Sequence, residues 1–513
     1  MIQVLLWLPL AVGLLCFLVP ARGVRGVPVV GALAALVLAI VLVAGFDPDT
    51  PGMQHAVDEE WIPDLGVRYQ LGVDGISIFL VLLTALLWAA ATTYSAFRTP
   101  DRARTYFFML GLAETGVLGA FLSQDLLLFV LFFDLMLIPF YFLIGAWGGR
   151  DRIAATTKMV VYTLVGSLLM LVGAIATAIL VEDSTGELSF SLADLQANVL
   201  GEGSQDWIFW FFAAAFLVKM PAFLVHGWMP DAYRAAPIPV VAVLSGVLSK
   251  VGAYGFLRVV LPTYPDATLQ FQDFLLVIAV AGILYGGAMA FTQTNVRLVA
   301  GFSSLAQLGF ITLGIFSLRS EGADGAVLQM VNHGLVVAPT FLIIGLLAER
   351  AGSEDLREMG GQAFRAPILA ALFLIVTLAT LAMPGSANFM GEFYILLGTF
   401  QTKLVYAIVA SAGVALAAFY AIRLYQRTMH NRLPQGVESR EISFRDGIVV
   451  APLVACIVAL ALYPGLILER GQASVESAVG QPADSSQQTA GHEPEPLLSA
   501  VRGLLSRSTE PNR

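Results

Sequence analysis

Long apolar runs separated by short polar stretches recur along the chain as far as residue 468. About 20 apolar residues cross a ~30 Å hydrocarbon layer as a helix. By that measure candidate spans lie at 3–20, 27–46, 74–97, 105–122, 125–147, 153–181, 207–227, 238–261, 271–292, 296–317, 324–349, 366–400, 403–426 and 447–468. The pattern predicts an all-α polytopic membrane protein with about fourteen transmembrane helices. Segment 366–400 is too long for one straight helix and carries Pro384-Gly385 inside it. Residues 1–20 are apolar but lack the basic start of a signal peptide, so they read as a retained first span.

The spans hint at duplication. Met220-Pro221 and Met383-Pro384 each interrupt an apolar run, 163 residues apart by subtraction. Phe140 and Phe310 each lie in a span that starts at a polar turn, Gln124-Asp125 and Thr294-Asn295. Paired broken helices in corresponding halves are the sequence sign of a transporter built from inverted repeats. The expected organisation is therefore N-terminal helices and an acidic loop over 1–104, a first repeat over 105–261 and a second over 262–430. A last membrane helix over 431–469 and a polar tail over 470–513 complete the chain.

Loop charges alternate along the chain. Arg22 and Arg25 follow the first span; Arg98, Arg102 and Arg104 the third; Arg150 and Arg152 the fifth. Arg350, Arg357 and Arg365 follow the eleventh, and Arg423, Arg427, Arg432, Arg440 and Arg445 the thirteenth. The intervening loops 47–64 and 182–206 are acidic. The positive-inside rule then puts both termini on the non-cytoplasmic side. The tail is poor in apolar residues and is expected to be mobile, although Leu497, Leu498, Val501, Leu504 and Leu505 fit a helical period.

Composition agrees with a bilayer as solvent: 58% of residues are hydrophobic and 13% charged, against ~25% charged in soluble chains. Several chemistries fall away. Cys16 and Cys456 are the only cysteines, so no iron–sulfur or zinc-ribbon framework exists. Neither GxxxxGK[ST] nor HExxH occurs. The formal charge of −9 argues against nucleic acid as a partner. The chain carries no cofactor of its own by this reading.

What remains is a set of ionisable residues inside apolar spans. Asp134 lies in LFVLFFDLMLIPF, Lys219 in FFAAAFLVKMPAF, Lys250 in VVAVLSGVLSKVGAYG, His333 in LQMVNHGLVV and Glu392 in PGSANFMGEFYILL. A charge at mid-membrane costs ~2.5–3.5 kcal/mol or more and marks a pathway or a pair. Static salt bridges would explain one pair, but two lysines, two carboxylates and a histidine exceed what helix docking needs. Pro221 and Pro384 lack amide donors and are expected to free the carbonyls of Leu217 and Thr380 beside Lys219 and Glu392. Burial weakens a lysine's hold on its proton and a nearby carboxylate strengthens it. A buried lysine with a movable carboxylate partner, such as Lys219 with Asp134, is therefore a proton switch.

These residues, at these spacings, resemble the antiporter-like subunits of respiratory complex I over residues 70–430. VKMPAFLVHGWMPDAYRAAP resembles the family's seventh helix, SKVGAYGFLR its eighth, NVRLVAGFSSLAQLGF its tenth, VNHG its eleventh and LAMPGSANFMGEF its broken twelfth. Glutamate at 392 separates it from relatives that more often carry lysine there, such as the multisubunit sodium/proton antiporters. The resemblance implies an intake-side pair in Asp134 and Lys219, a central carrier in Lys250, a member of the polar axis in His333 and a release-side group in Glu392. It implies FMN, iron–sulfur clusters and quinone in partner subunits, and L-type and N-type antiporter-like subunits as neighbours in a bacterial cell membrane. The family usually has glutamate in place of Asp134 and often histidine in place of Gln307, which cannot titrate and is expected to orient water.

Overall fold

In the computed structural model the described residues are 1–490 except Arg22, Pro51 and Gln435, with the side chains of 481–490 outside the description. Among them, eleven helices are long and apolar enough to cross a membrane, against about fourteen expected. Ile2–Leu18 and Pro367–Thr380 are apolar but shorter.

Burial sorts the helices into core and rim. The apolar windows of Ile238–Thr263 and Ser320–Ala351 are 100% buried and that of Val296–Ile315 is 94%, whereas Gly26–Ala44 and Leu404–Met429 are 33% buried. A helix that is hydrophobic all round suits either a protein core or lipid. Here the three most enclosed helices are those carrying Lys250, Gln307 and His333, so the polar residues sit where lipid is farthest. Close packing depends on small residues: a Cβ on Gly252 would stand 2.5 Å from the Phe216 carbonyl oxygen. That contact brings the Lys219 and Lys250 helices together.

The repeat is visible in two matching caps. Asp125 accepts the Leu128 amide at 2.9 Å and opens the helix that carries Asp134. Its flanking backbone forms an antiparallel bridge to Ser191. Asn295, 170 residues later by subtraction, accepts the Arg297 and Leu298 amides and opens the Gln307 helix. It bridges in the same way to Asp355. Five long helical segments separate the two caps: Leu126–Trp147, Arg152–Thr185, the broken 202–235, Ile238–Thr263 and Pro265–Thr292. An odd number puts the caps at opposite ends of the bundle, as an inverted repeat requires.

Two segments depart from expectation. The acidic loop is a β-hairpin: Gln54–Ile62 pairs antiparallel with Val67–Val73. Its turn runs through Pro63–Leu65 to Gly66, whose φ of 64° favours glycine. The described part of the C-terminal tail belongs to a helix, Gly465–Ala490. Ile467, Val475, Ala478 and Val479 are buried, and the Ser474 hydroxyl accepts the Gly75 amide at 3.0 Å. One apolar stripe is enough to dock a helix that is otherwise polar. The leucine pattern of 497–505 lies outside the described residues.

Candidate functional site

Lys219 is the last residue of the Glu202–Lys219 helix. Pro221 ends the helix because it has no amide to donate. The Leu217 carbonyl does not stay free, however: it accepts the Ala222 amide at 2.9 Å. The Trp228 indole donates to the Val218 carbonyl at 2.9 Å. Protein groups therefore satisfy this break, and the chain resumes as His226–Trp228 and Met229–Ala235. At the second break the Met383 amide donates to Leu378 at 3.1 Å, and among the described residues no backbone amide reaches the Thr380 carbonyl.

The Lys219 ammonium donates to the Phe133 carbonyl at 3.3 Å and lies 4.4 Å from the centre of that ring. Asp134 is next in sequence, and its Oδ1 has no hydrogen-bond partner. The two groups form no ion pair, and the Phe133 carbonyl takes the lysine's hydrogen bond instead. A feature that sequence reasoning missed lies beside them. Pro139 cannot donate to Leu135, and the helix divides at Met136 into Leu126–Leu135 and Leu137–Trp147. The signal was present in DLMLIPF.

Lys250 is fully buried. Its ammonium donates to the Ser245 carbonyl at 2.6 Å, lies 3.3 Å from the Ser249 hydroxyl and faces His333 Nδ1 at 2.9 Å. With the lysine charged, Nδ1 accepts and the imidazole carries its proton on Nε2. Two π turns, Leu244–Leu248 and Phe256–Val260, flank the lysine. Such turns widen the backbone ladder and occur often at functional sites; here Ser245 supplies a carbonyl to the side chain.

Gln307 donates to Glu392 Oε1 at 2.7 Å and accepts from Gln329 Nε2 at 2.6 Å. Glu392 Oε2, Gln329 Oε1 and both amide atoms of Asn388 are buried without protein partners. A cavity with about 20 Å³ of water-accessible volume is lined by Gln307, His333, Asn388, Ser303 and Tyr420. About 10–15 Å³ suffices for one water. His333 thus belongs with Lys250 rather than midway along the path, and Gln307 touches Glu392 directly. The two linked pairs face one water-sized gap. Gln329, one helical turn before His333, and Asn388 are polar members that sequence reasoning did not select.

Residues 123–417 match the family described as NADH:quinone oxidoreductase/Mrp antiporter, TM. The NADH-quinone oxidoreductase subunit M of Rhodobacter capsulatus is 36% identical over 485 residues, covering 91% of this chain and 94% of the relative. This chain belongs to the antiporter-like family. A chain of respiratory complex I from Thermus thermophilus superposes with a TM-score of 0.86 at 30% identity, covering 94% of this chain and 99% of that one. A chain of the Mrp complex from Dietzia sp. gives 0.79 at 20% identity over 94% and 99%, a likeness of fold.

Proposed function

We propose that this chain translocates protons as a membrane-arm subunit of an NADH:quinone oxidoreductase. One observation carries the reading: Lys219, Lys250 with His333, and Gln307 with Glu392 lie within the buried interior without a static lysine–carboxylate pair. Ionisable groups held this way mark a pathway rather than glue. Movement of Asp134 toward Lys219 strengthens the lysine's hold on a proton, and retreat releases it. The proton then reaches Lys250 and His333, crosses the water-sized gap, and leaves by Gln307 and Glu392. Each transfer needs hydrogen-bond reach or a bridging water.

Moving one charge against 100 mV costs ~2.3 kcal/mol. Quinone reduction in partner subunits, which carry FMN and iron–sulfur clusters, supplies it in this reading. The chain acts as a non-redox subunit of the translocating enzyme, beside L-type and N-type subunits. Counting Ile2–Leu18 and each broken pair as one crossing brings the total to about fourteen. The hairpin end, with both termini, faces the non-cytoplasmic side of a bacterial cell membrane.

The test uses vesicles containing the whole complex. Lys219→Ala should abolish NADH-driven proton uptake and slow electron transfer. Normal pumping in the assembled variant would sink the role of Lys219. Proton exchange driven by a sodium gradient without NADH would favour cation/proton antiport instead.

A further inference from the structure

Lys250, Tyr254 and Arg258 are spaced four residues apart on one helix, so they follow one another up a single face toward the hairpin end. The Lys250 ammonium turns the other way, back to Ser245. Tyr254 fills the next turn, fully buried. Its ring lies 5.3 Å from that of Phe121 and 6.4 Å from that of Phe129. Its hydroxyl donates to the Phe121 carbonyl at 3.3 Å.

Arg258 stands beyond it. One arm of the guanidinium is 3.5 Å from Asp74 and the other donates to the Gln124 amide oxygen. Asp74 is 2% exposed and already accepts the Ile76 and Ser77 amides at 3.2 and 2.9 Å. Arg258 also forms a wall of a cavity of about 220 Å³ under the β-hairpin, lined with Gln70, Gln124, Gln196 and Asp58. That space has polar groups on its wall and room for several waters at about 30 Å³ each. On this helix face Arg258 therefore borders the cavity, while Tyr254 and Lys250 beyond it are fully buried. The guanidinium sits at the boundary.

We infer that Arg258 is a positioned charge barrier that keeps hydronium in the hairpin cavity from reaching Lys250. A fixed arginine at a constriction raises the energy of an incoming proton or cation, and a poorly hydrated setting strengthens that repulsion. Asp74 holds one arm at a long distance and neutral Gln124 holds the other, so the charge stays fixed at the cavity wall. A proton on Lys250 is thereby left with the His333 side as its way out. The inference rests on Lys250 being a proton carrier.

The experiment measures passive proton entry into vesicles containing the whole complex, without NADH, after acidifying the hairpin side. The double variant D74N/R258Q removes both charges, so no uncompensated ion is left buried. Its leak should rise by about tenfold or more, the factor given by about 1.4 kcal/mol off a barrier. Arg258→Lys, which keeps the charge, should stay near wild type. Adding Lys250→Ala to the double variant should return the leak to baseline. Gln124→Glu, which sets a carboxylate on the guanidinium without removing it, should raise the leak and serves if the double variant fails to assemble. Wild-type leak in D74N/R258Q, or in Gln124→Glu, overturns the barrier. So does a leak that persists after Lys250→Ala, or one equally large in Arg258→Lys. Failure of the carrier reading shows separately, as normal NADH-driven pumping in Lys250→Ala.

Discussion

The amide of Gln307 has both ends taken, its nitrogen by Glu392 and its oxygen by Gln329. Gln307→Ala strands two buried partners, and each buried group left unsatisfied costs about 1–3 kcal/mol. Proton uptake should fall by roughly tenfold, the effect of about 1.4 kcal/mol. Gln307→His can still donate to Glu392 and can also carry a proton, so it should keep most activity. Equal uptake in Gln307→Ala and wild type would show that this hydrogen bond is idle. His333→Ala should be more damaging than Gln307→His, because the imidazole is the side chain that meets Lys250 across the helix interface. Lys219, Lys250, His333 and Glu392 could be picked from the sequence because a charge in an apolar run is conspicuous and costly. Gln329 and Asn388 could not: a neutral amide carries no such penalty and reads as an ordinary packing residue until its neighbours are known. The direct Gln307–Glu392 contact was hidden for a similar reason, since helix rotation is set by packing and not by local pattern.

At the level of elements, the Pro367–Thr380 helix opens on Ala366, which has no side chain to cap it. Glu441, from a distant segment, accepts the Ile368 and Leu369 amides at 2.9 and 3.0 Å. Burial works to raise the Glu441 carboxyl, but the amides of Ile368, Ile442 and Leu369 outweigh it and hold it below the ordinary range. A carboxyl depressed in the folded state stabilises above its unfolded value, and that stabilisation is lost as pH falls through the depressed one. The cap should therefore act above the ordinary value of 4.5 and fade below it. Glu441→Ala should cost about 1 kcal/mol, as lost caps do, and should speed hydrogen exchange at Ile368 and Leu369 at neutral pH. Unchanged protection there would rule the cap out. Such a cap is invisible in sequence because its two halves are about 70 residues apart. The apolar spans, by contrast, are written locally. The hairpin falls between these cases. Asp58, Glu59 and Glu60 weaken its strand signal, although the turn Pro63-Asp64-Leu65-Gly66 was there to be read.

For the whole molecule, the decisive question is which end of the bundle faces the cytoplasm. The Asn295 end carries Arg98, Arg102, Arg150, Arg152, Arg297, Arg350, Arg357 and Arg423. The hairpin end carries fewer cations, among them Arg68, Arg319 and Lys403, and the acidic run Asp58–Glu60. Short loops follow the positive-inside rule, so the Asn295 end should be cytoplasmic. Single cysteines at Ser477 and Glu358 would test this, since both side chains are exposed and lie at opposite ends. Cys16 is buried and Cys456 partly buried, and both would first be replaced by serine. A membrane-impermeant maleimide added to intact cells should label Ser477→Cys and spare Glu358→Cys, with the reverse in inverted vesicles. The opposite pattern would invert the assignment of intake and release, because Glu392 lies on the Ala387–Thr402 helix that runs to the hairpin end. It would also turn the cavity beneath the hairpin into the cytoplasmic mouth, where an arginine barrier would block supply rather than prevent return. The direction of transport, the place of Arg258 and the loop charges therefore stand on one measurement of sidedness.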